Sequence, residues 1–206
     1  YLQFYPKNRT MSELNKFYLE YGKFIIHFEN INFQMCYIIR KICTNNNMFG
    51  DEDKRIDILL EGITANPLLS KFRSILITTD IFENPDIKKL IDNFIKNFTK
   101  AIETRNFIAH GTFFAGDALG NINNFEVRKP KLGSKGYQQN VNTISIDALK
   151  KLNFDMQKLE NFIGYFNRYL SKNSPENFKN KIYDEMRSNL EDVNLTLDII
   201  NKSIEY

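Results

Sequence analysis

Apolar residues recur every three or four positions along most of the chain, which is the period of amphipathic α-helices. The first such stripe consists of Leu14, Tyr18, Tyr21, Ile25, Phe28, Ile31, Met35, Ile38 and Ile42. Its length predicts one long helix. Thr10 and Glu13 have the spacing of a capping box and predict where the helix starts, and the asparagines at 45–47 with Gly50 predict where it ends.

One Asn-Pro pair interrupts and restarts the second helical region, and another opens the third helix. The second region covers residues 51–81, and Asn66 with Pro67 predicts an N-cap and a first helical position inside it. The pair Asn84 and Pro85 predicts the start of the third helix. That helix has a stripe formed by Ile87, Ile91, Phe94, Phe98 and Ile102, and Gly111 stands where a C-terminal cap is expected.

The stretch from 112 to 145 lacks helical periodicity and predicts an inserted loop or small β-hairpin, with strands near 112–114 and 125–127. A fourth helix follows over 149–170, and a fifth, opened by Ser174 and Pro175, is predicted to continue to Ile204. No linker divides the chain. The sequence therefore predicts one all-α domain over 1–206, an up-and-down bundle of about five helices with an insertion after the third.

Composition narrows the function classes. The chain has 206 residues, of which 42% are hydrophobic, and a net charge of +3, which does not by itself indicate nucleic-acid binding. Cys36 and Cys43 are about 10 Å apart along the predicted helix, beyond disulfide reach. We therefore expect free thiols and a cytoplasmic protein. No apolar run approaches the ~20 residues of a membrane span, and no metal-ligand spacing occurs, so we expect no membrane, metal or cofactor.

The third helix ends in a break of the binary pattern. Its apolar stripe predicts a hydrophobic residue at position 105, but the chain has Arg105 there, followed by Asn106 and, near the helix end, His110. A cation, an amide and an imidazole at the edge of a core face are typical of a functional site. The purely structural alternative is a histidine favoured by the helix dipole and an arginine paired with Glu103 or another carboxylate.

The segment from Arg105 to His110 resembles the Arg-x4-6-His motif of the HEPN superfamily of helical-bundle proteins. Asn106, Ala109 and Gly111 fit the polar and small positions that accompany this motif. The resemblance covers about seven residues as a motif and most of the chain as an architecture. It implies a metal-independent endoribonuclease that acts as a homodimer, of the kind used as a toxin or in defence against phage.

The resemblance also implies a role for each residue. His110 would act as general base or acid when a ribose 2′-OH attacks the adjacent phosphate. Arg105 would neutralise that phosphate, and Asn106 would orient His110 or contact the phosphate. Positions 105 and 110 are about 140° apart on an ideal helix, so either the helix end unwinds slightly or the site is composite. The resemblance implies the composite site, because HEPN proteins typically pair two such motifs across a homodimer interface. The implied partners are RNA, a second copy, and an antitoxin or regulatory protein.

Other residues are weaker candidates. The basic loop contains Arg128, Lys129, Lys131 and Lys135, which could contact RNA phosphates or only solvent. Glu29 and Asn32 could support the motif or form a solvated helix flank, and His27 is expected to be a core or boundary residue. Two alternatives to the ribonuclease remain: a non-catalytic HEPN module that binds or dimerises to regulate a partner protein, and a structural bundle without a site.

Overall fold

The computed structural model describes residues 10–44, 54–110, 112–115, 124–133, 136–171, 175–193, 195 and 200–205. For 10–13, 112–115, 124, 128–133, 136–142 and 200–205 the description covers the backbone alone. Six α-helices occur in these ranges: α1 (Thr10–Cys43), α2 (Lys54–Leu60), α3 (Ala65–Ile77), α4 (Pro85–Ala109), α5 (Ile146–Tyr169) and α6 (Glu176–Leu190). The predicted all-α bundle class is confirmed.

The insertion after α4 occupies the predicted range, but in the described residues its strands belong to a sheet that is larger than the predicted hairpin. Four strands, β1 (Thr112–Ala115), β2 (Asn124–Gly133), β3 (Gly136–Ser145) and β4 (Ile200–Glu205), form one antiparallel sheet in the order β1-β2-β3-β4. In its register Phe125 lies opposite both Ala115 and Ile144. The two predicted strand pieces are therefore confirmed as neighbours, and β3 and β4 extend the sheet beyond them.

The prediction for the C-terminal segment was wrong. Helix α6 begins after Pro175, as predicted, but ends at Leu190 instead of continuing to Ile204. Asp192 has a φ of 62°, a left-handed conformation that stops a helix. Residues 200–205 pair with β3, with Ile204 opposite Gln139. The backbone groups of these residues find their hydrogen-bond partners along the edge of β3. Helical periodicity cannot reveal such a partner, because it lies far away along the chain.

The sequence predicted the start of α4 correctly and the start of α3 wrongly. Asn84 caps α4 as predicted, since its Oδ1 accepts hydrogen bonds from the backbone N–H groups of Asp86 at 3.0 Å and Ile87 at 3.2 Å. The second region, however, breaks earlier than Asn66. Gly62, with a φ of 65°, separates α2 from α3, and Thr64 is the N-cap. The predicted capping box and the chain between α1 and α2 lie outside the described side chains.

The chain forms two compact units. One, the strand unit, consists of Tyr1–Ile25, Glu103–Phe154 and Thr196–Tyr206, and the other, the helical unit, consists of Ile26–Ile102 and Asp155–Leu195. The helical unit has an aromatic core in which the ring of Phe94 lies 5.2 Å from that of Phe162 and 5.9 Å from that of Phe98. In the strand unit the rings of Phe17 and Phe125 lie 4.1 Å apart.

Helix α1 is confirmed, but the predicted register of its first half is wrong. Tyr18 is 59% exposed, whereas Phe17 and Phe24 are buried. From Phe28 to Ile38 the predicted stripe matches the buried face. The error arises because the first half of α1 has apolar residues on two faces, and a period of 3.6 residues cannot distinguish the inner face from the outer one.

Candidate active site at the end of α4

The motif residues lie where α4 meets the sheet, within the strand unit. The predicted α4 stripe is buried throughout, with Ile102 2% exposed and Ile108 fully buried. Arg105 lies between these two core residues and is half-buried, so the predicted break in the binary pattern is at the edge of the core face. The backbone N–H of His110 still donates to the carbonyl of Asn106 at 3.2 Å, and β1 begins two residues later.

The side chains of the motif have distinct surroundings. Nη1 of Arg105 donates to Oδ1 of Asn106 at 3.3 Å. In the described part of the chain Arg105 forms no ion pair. The ion pair with Glu103, which was one structural alternative to a functional site, is therefore not formed. His110 is exposed, and no hydrogen bond joins its ring to a described residue. Arg105 therefore offers a positive charge, and His110 offers an imidazole open to solvent.

The helical geometry separates Arg105 from His110 around the axis. Because α4 stays helical to Ala109 and His110 keeps the i to i−4 backbone bond, the two side chains project about 140° apart. Asn106 contacts Arg105 and does not bridge it to His110. One chain therefore brings Arg105 and Asn106 together and leaves His110 apart from them.

The remaining candidates are not joined to the motif by any described contact. Glu29 is exposed and accepts a hydrogen bond from Nδ2 of Asn32 at 3.2 Å, and both residues belong to the helical unit. Arg128, Lys129 and Lys131 have their backbone in β2, but their side chains lie outside the described residues. Lys135 and Gly111 lie outside them altogether, so these predictions remain predictions.

Sequence reasoning missed a row of polar contacts between α1 and α5, which we call the polar seam. In the helical unit, Nδ1 of His27 lies 2.6 Å from Oε2 of Glu160, whose Oε1 accepts from Asn30 at 2.9 Å. Further along, Nζ of Lys41 donates to the carbonyl of Asn167 at 2.8 Å and to the hydroxyl of Ser171 at 3.1 Å. Burial lowers the pKa of this lysine. Both helices therefore run in the same direction along the seam.

The strand unit contains a third pair of the same kind. Nδ2 of Asn153 donates to Oε2 of Glu20 at 2.8 Å, and both residues are buried. The hydrogen bond from Lys23 holds the pKa of the Glu20 carboxyl below its ordinary value, against burial, and Asn153 assists. The signal that could have revealed the seam is a heptad of polar positions, 20, 27, 34 and 41 in α1 matched by 153, 160 and 167 in α5.

Other features of the described residues bear on possible ligands. A groove of about 510 Å³ in the helical unit is lined by Asp86, Lys89, Leu90, Asn93, Tyr183, Arg187, Leu190 and Glu191, none of which belongs to the motif. No group of three or more His, Cys, Asp or Glu in the described chain could hold a metal ion. No described helix is both long enough and apolar enough to cross a bilayer.

Comparisons of the chain with protein-family models, with curated proteins and with solved structures found no match.

Proposed function

We propose that the chain is a metal-independent endoribonuclease that acts as a homodimer, with Arg105, Asn106 and His110 at its site and a role as a toxin or an anti-phage effector in the cytoplasm. The proposal rests on the resemblance of the motif to that of the HEPN superfamily. The observation that supports it best is the environment of His110, an exposed imidazole at the end of a helix whose core-edge position is occupied by an arginine.

The proposed chemistry divides between these residues. The imidazole of His110 removes the proton from a ribose 2′-OH or returns one to the leaving 5′ oxygen. The guanidinium of Arg105 binds the phosphate and stabilises the charge that grows on it in the transition state. Asn106 accepts a hydrogen bond from Arg105 and thereby orients the guanidinium, and its amide can also contact the phosphate.

A dimer reconciles this chemistry with the geometry of one chain. Side chains about 140° apart on one helix cannot both reach one phosphate. If two copies place their α4 ends at one cleft, Arg105 of one copy and His110 of the other can approach the same phosphodiester. An antitoxin or regulatory protein that covers this cleft would be the natural inhibitor.

The second candidate is a non-catalytic HEPN module that dimerises or binds to regulate a partner protein. The observation that favours it is the absence, in the described residues, of any group that hydrogen-bonds the His110 ring and fixes its orientation. A general base is usually held by such a partner. On this reading, Arg105 and Asn106 form a polar surface at the helix end, and loss of His110 changes nothing measurable.

The chemistry can be tested through its products. Purified protein is incubated in EDTA with an end-labelled RNA and with the same sequence made of 2′-deoxynucleotides. We expect cleavage of the RNA alone, with 2′,3′-cyclic phosphate and 5′-hydroxyl ends, because the 2′-OH is the nucleophile. Cleavage of the deoxy strand, or loss of all cleavage in EDTA, would contradict the proposed mechanism.

A further inference from the structure

Phe107 is a large aromatic residue on the outer side of α4. The buried face of this part of the helix is formed by Ala101, Ile102 and Ile108, which are at most 2% exposed. Phe107 is about 140° around the axis from Ile102 and about 100° from Ile108. It is half-buried. Because it lies outside the core face, part of this residue remains accessible to a ligand.

The helical geometry places Phe107 next to the proposed general base, His110. Both residues belong to the strand unit. Helix α4 continues to Ala109, and the backbone N–H of His110 donates to the carbonyl of Asn106 at 3.2 Å. Phe107 and His110 are therefore one turn apart and about 60° around the axis, with Cβ atoms roughly 5–6 Å apart. Among the aromatic residues of α4, only Phe107 lies within one turn of His110.

The base and the 2′-OH of an RNA nucleotide are attached to adjacent carbon atoms of one ribose. A histidine that removes the proton from this 2′-OH therefore has the base of the same nucleotide close to the side chains beside it. RNA-binding proteins hold unpaired bases by stacking them on aromatic side chains, and this stacking tolerates any base because every base has a π-face. The ring of Phe107 is of the kind, and in the place, that such stacking requires.

We propose that the ring of Phe107 stacks on the base of the nucleotide whose 2′-OH faces His110, and thereby favours cleavage at nucleotides that stack well. This inference rests on the proposed function and adds a substrate-binding residue to its site. Arg105 and Asn106 act on the phosphate, whereas Phe107 acts on the base. Because a purine has the larger ring surface, cleavage after adenosine should be several-fold faster than cleavage after uridine.

The test compares wild type with Phe107→Leu on a short oligoadenylate and on versions of it that each lack one base. Loss of the aromatic ring should lower kcat/KM on the intact RNA about tenfold, and loss of the base at the cut nucleotide should do the same to wild type. The two losses should not multiply, because each removes the same contact. Phe107→Tyr keeps the ring and should keep the wild-type rate. Phe154→Leu, at a 59% exposed phenylalanine of α5, is the matched control and should also keep it.

Affinity measurements separate this inference from the ribonuclease itself. The same RNAs are titrated against His110→Ala with and without Phe107→Leu, so that binding is measured without cleavage. Cleavage that Phe107→Leu leaves unchanged, or losses that multiply, would overturn the stacking and leave the ribonuclease intact. Losses of affinity that do not multiply, in a protein that cleaves no RNA, would support the stacking and oppose the ribonuclease. A folded protein that neither binds nor cleaves RNA would overturn both.

Discussion

Nδ1 of His27 lies 2.6 Å from Oε2 of Glu160, so a hydrogen bond joins α1 to α5 across 133 residues of chain. Both side chains are about three-quarters buried, and Asn30 donates to the other oxygen of the same carboxylate. The other nitrogen of the imidazole, Nε2, takes no part in this contact. The histidine expected at a boundary position is therefore part of the polar seam that sets the register of the two helices.

A double-mutant cycle measures the strength of this contact. His27→Ala and Glu160→Ala should each lower the free energy of unfolding by about 1–2 kcal/mol, since each leaves a partly buried partner without its hydrogen bond. The double variant should lose less than the two single losses combined, by about 1 kcal/mol. Urea titrations of the four proteins give these values. Strict additivity would show that the two side chains do not interact.

The buried pair of Glu20 and Asn153 predicts a pH effect. Asn153→Asp places a second carboxylate against Glu20 and should destabilise the protein by roughly 2–4 kcal/mol at neutral pH. Because lower pH protonates one carboxyl of the pair, that deficit should shrink as the pH falls. Asn161→Asp, the same change at an exposed position of α5, is the control. A deficit that stays constant with pH would contradict this account of the pair.

In the wild-type protein, the contribution of Glu20 to stability should change with pH in the opposite direction. The pKa of Glu20 is lowered on folding, chiefly by the hydrogen bond from Lys23. Its contribution to stability is therefore present above the unfolded-state pKa and is lost as the pH falls through the lowered value. Comparison of wild type with Glu20→Gln over the acid range, by thermal unfolding, isolates this contribution, which should vanish at the acid end.

The aromatic core of the helical unit predicts a larger loss. Phe94 is fully buried, and its ring lies between those of Phe98 and Phe162. Phe94→Ala should lower the free energy of unfolding by about 3–5 kcal/mol, from lost apolar contact and the cavity that remains. Phe178→Ala removes the same atoms from a residue that is 46% exposed and should change stability by less than about 1 kcal/mol. Similar losses in the two variants would contradict the assigned core.

The sequence predicted α4 closely because its signals are local. The Asn84 cap, the start at Pro85 and the stripe to Ile102 depend on residues within a few turns of one another. The register of the first half of α1 was predicted wrongly because exposed apolar residues on its outer side recur with the same period as the buried ones. The strand at 200–205 could not be predicted, because its backbone partners are in β3, about 60 residues earlier.

The candidate site was predicted in its residues but not in its arrangement. The pattern break at Arg105 was predicted from the apolar stripe, and Arg105 lies at the edge of the buried face. The helix end was predicted from Gly111, and α4 ends at Ala109. The bond from Arg105 to Asn106 depends on side-chain rotamers, and the polar seam of His27 and Glu160 depends on contacts across the fold. Neither is encoded in local spacing.

The central claim is that Arg105 and His110 cut RNA, and RNA cleavage in EDTA by matched variants tests it most directly. His110→Ala and Arg105→Ala should each reduce the cleavage rate by at least a hundredfold while helix content and dimerisation stay unchanged. His27→Ala, at the chain's other histidine, should keep the rate within a few-fold of wild type. Equal cleavage by wild type and His110→Ala, or no cleavage by a folded wild-type dimer, would contradict the claim.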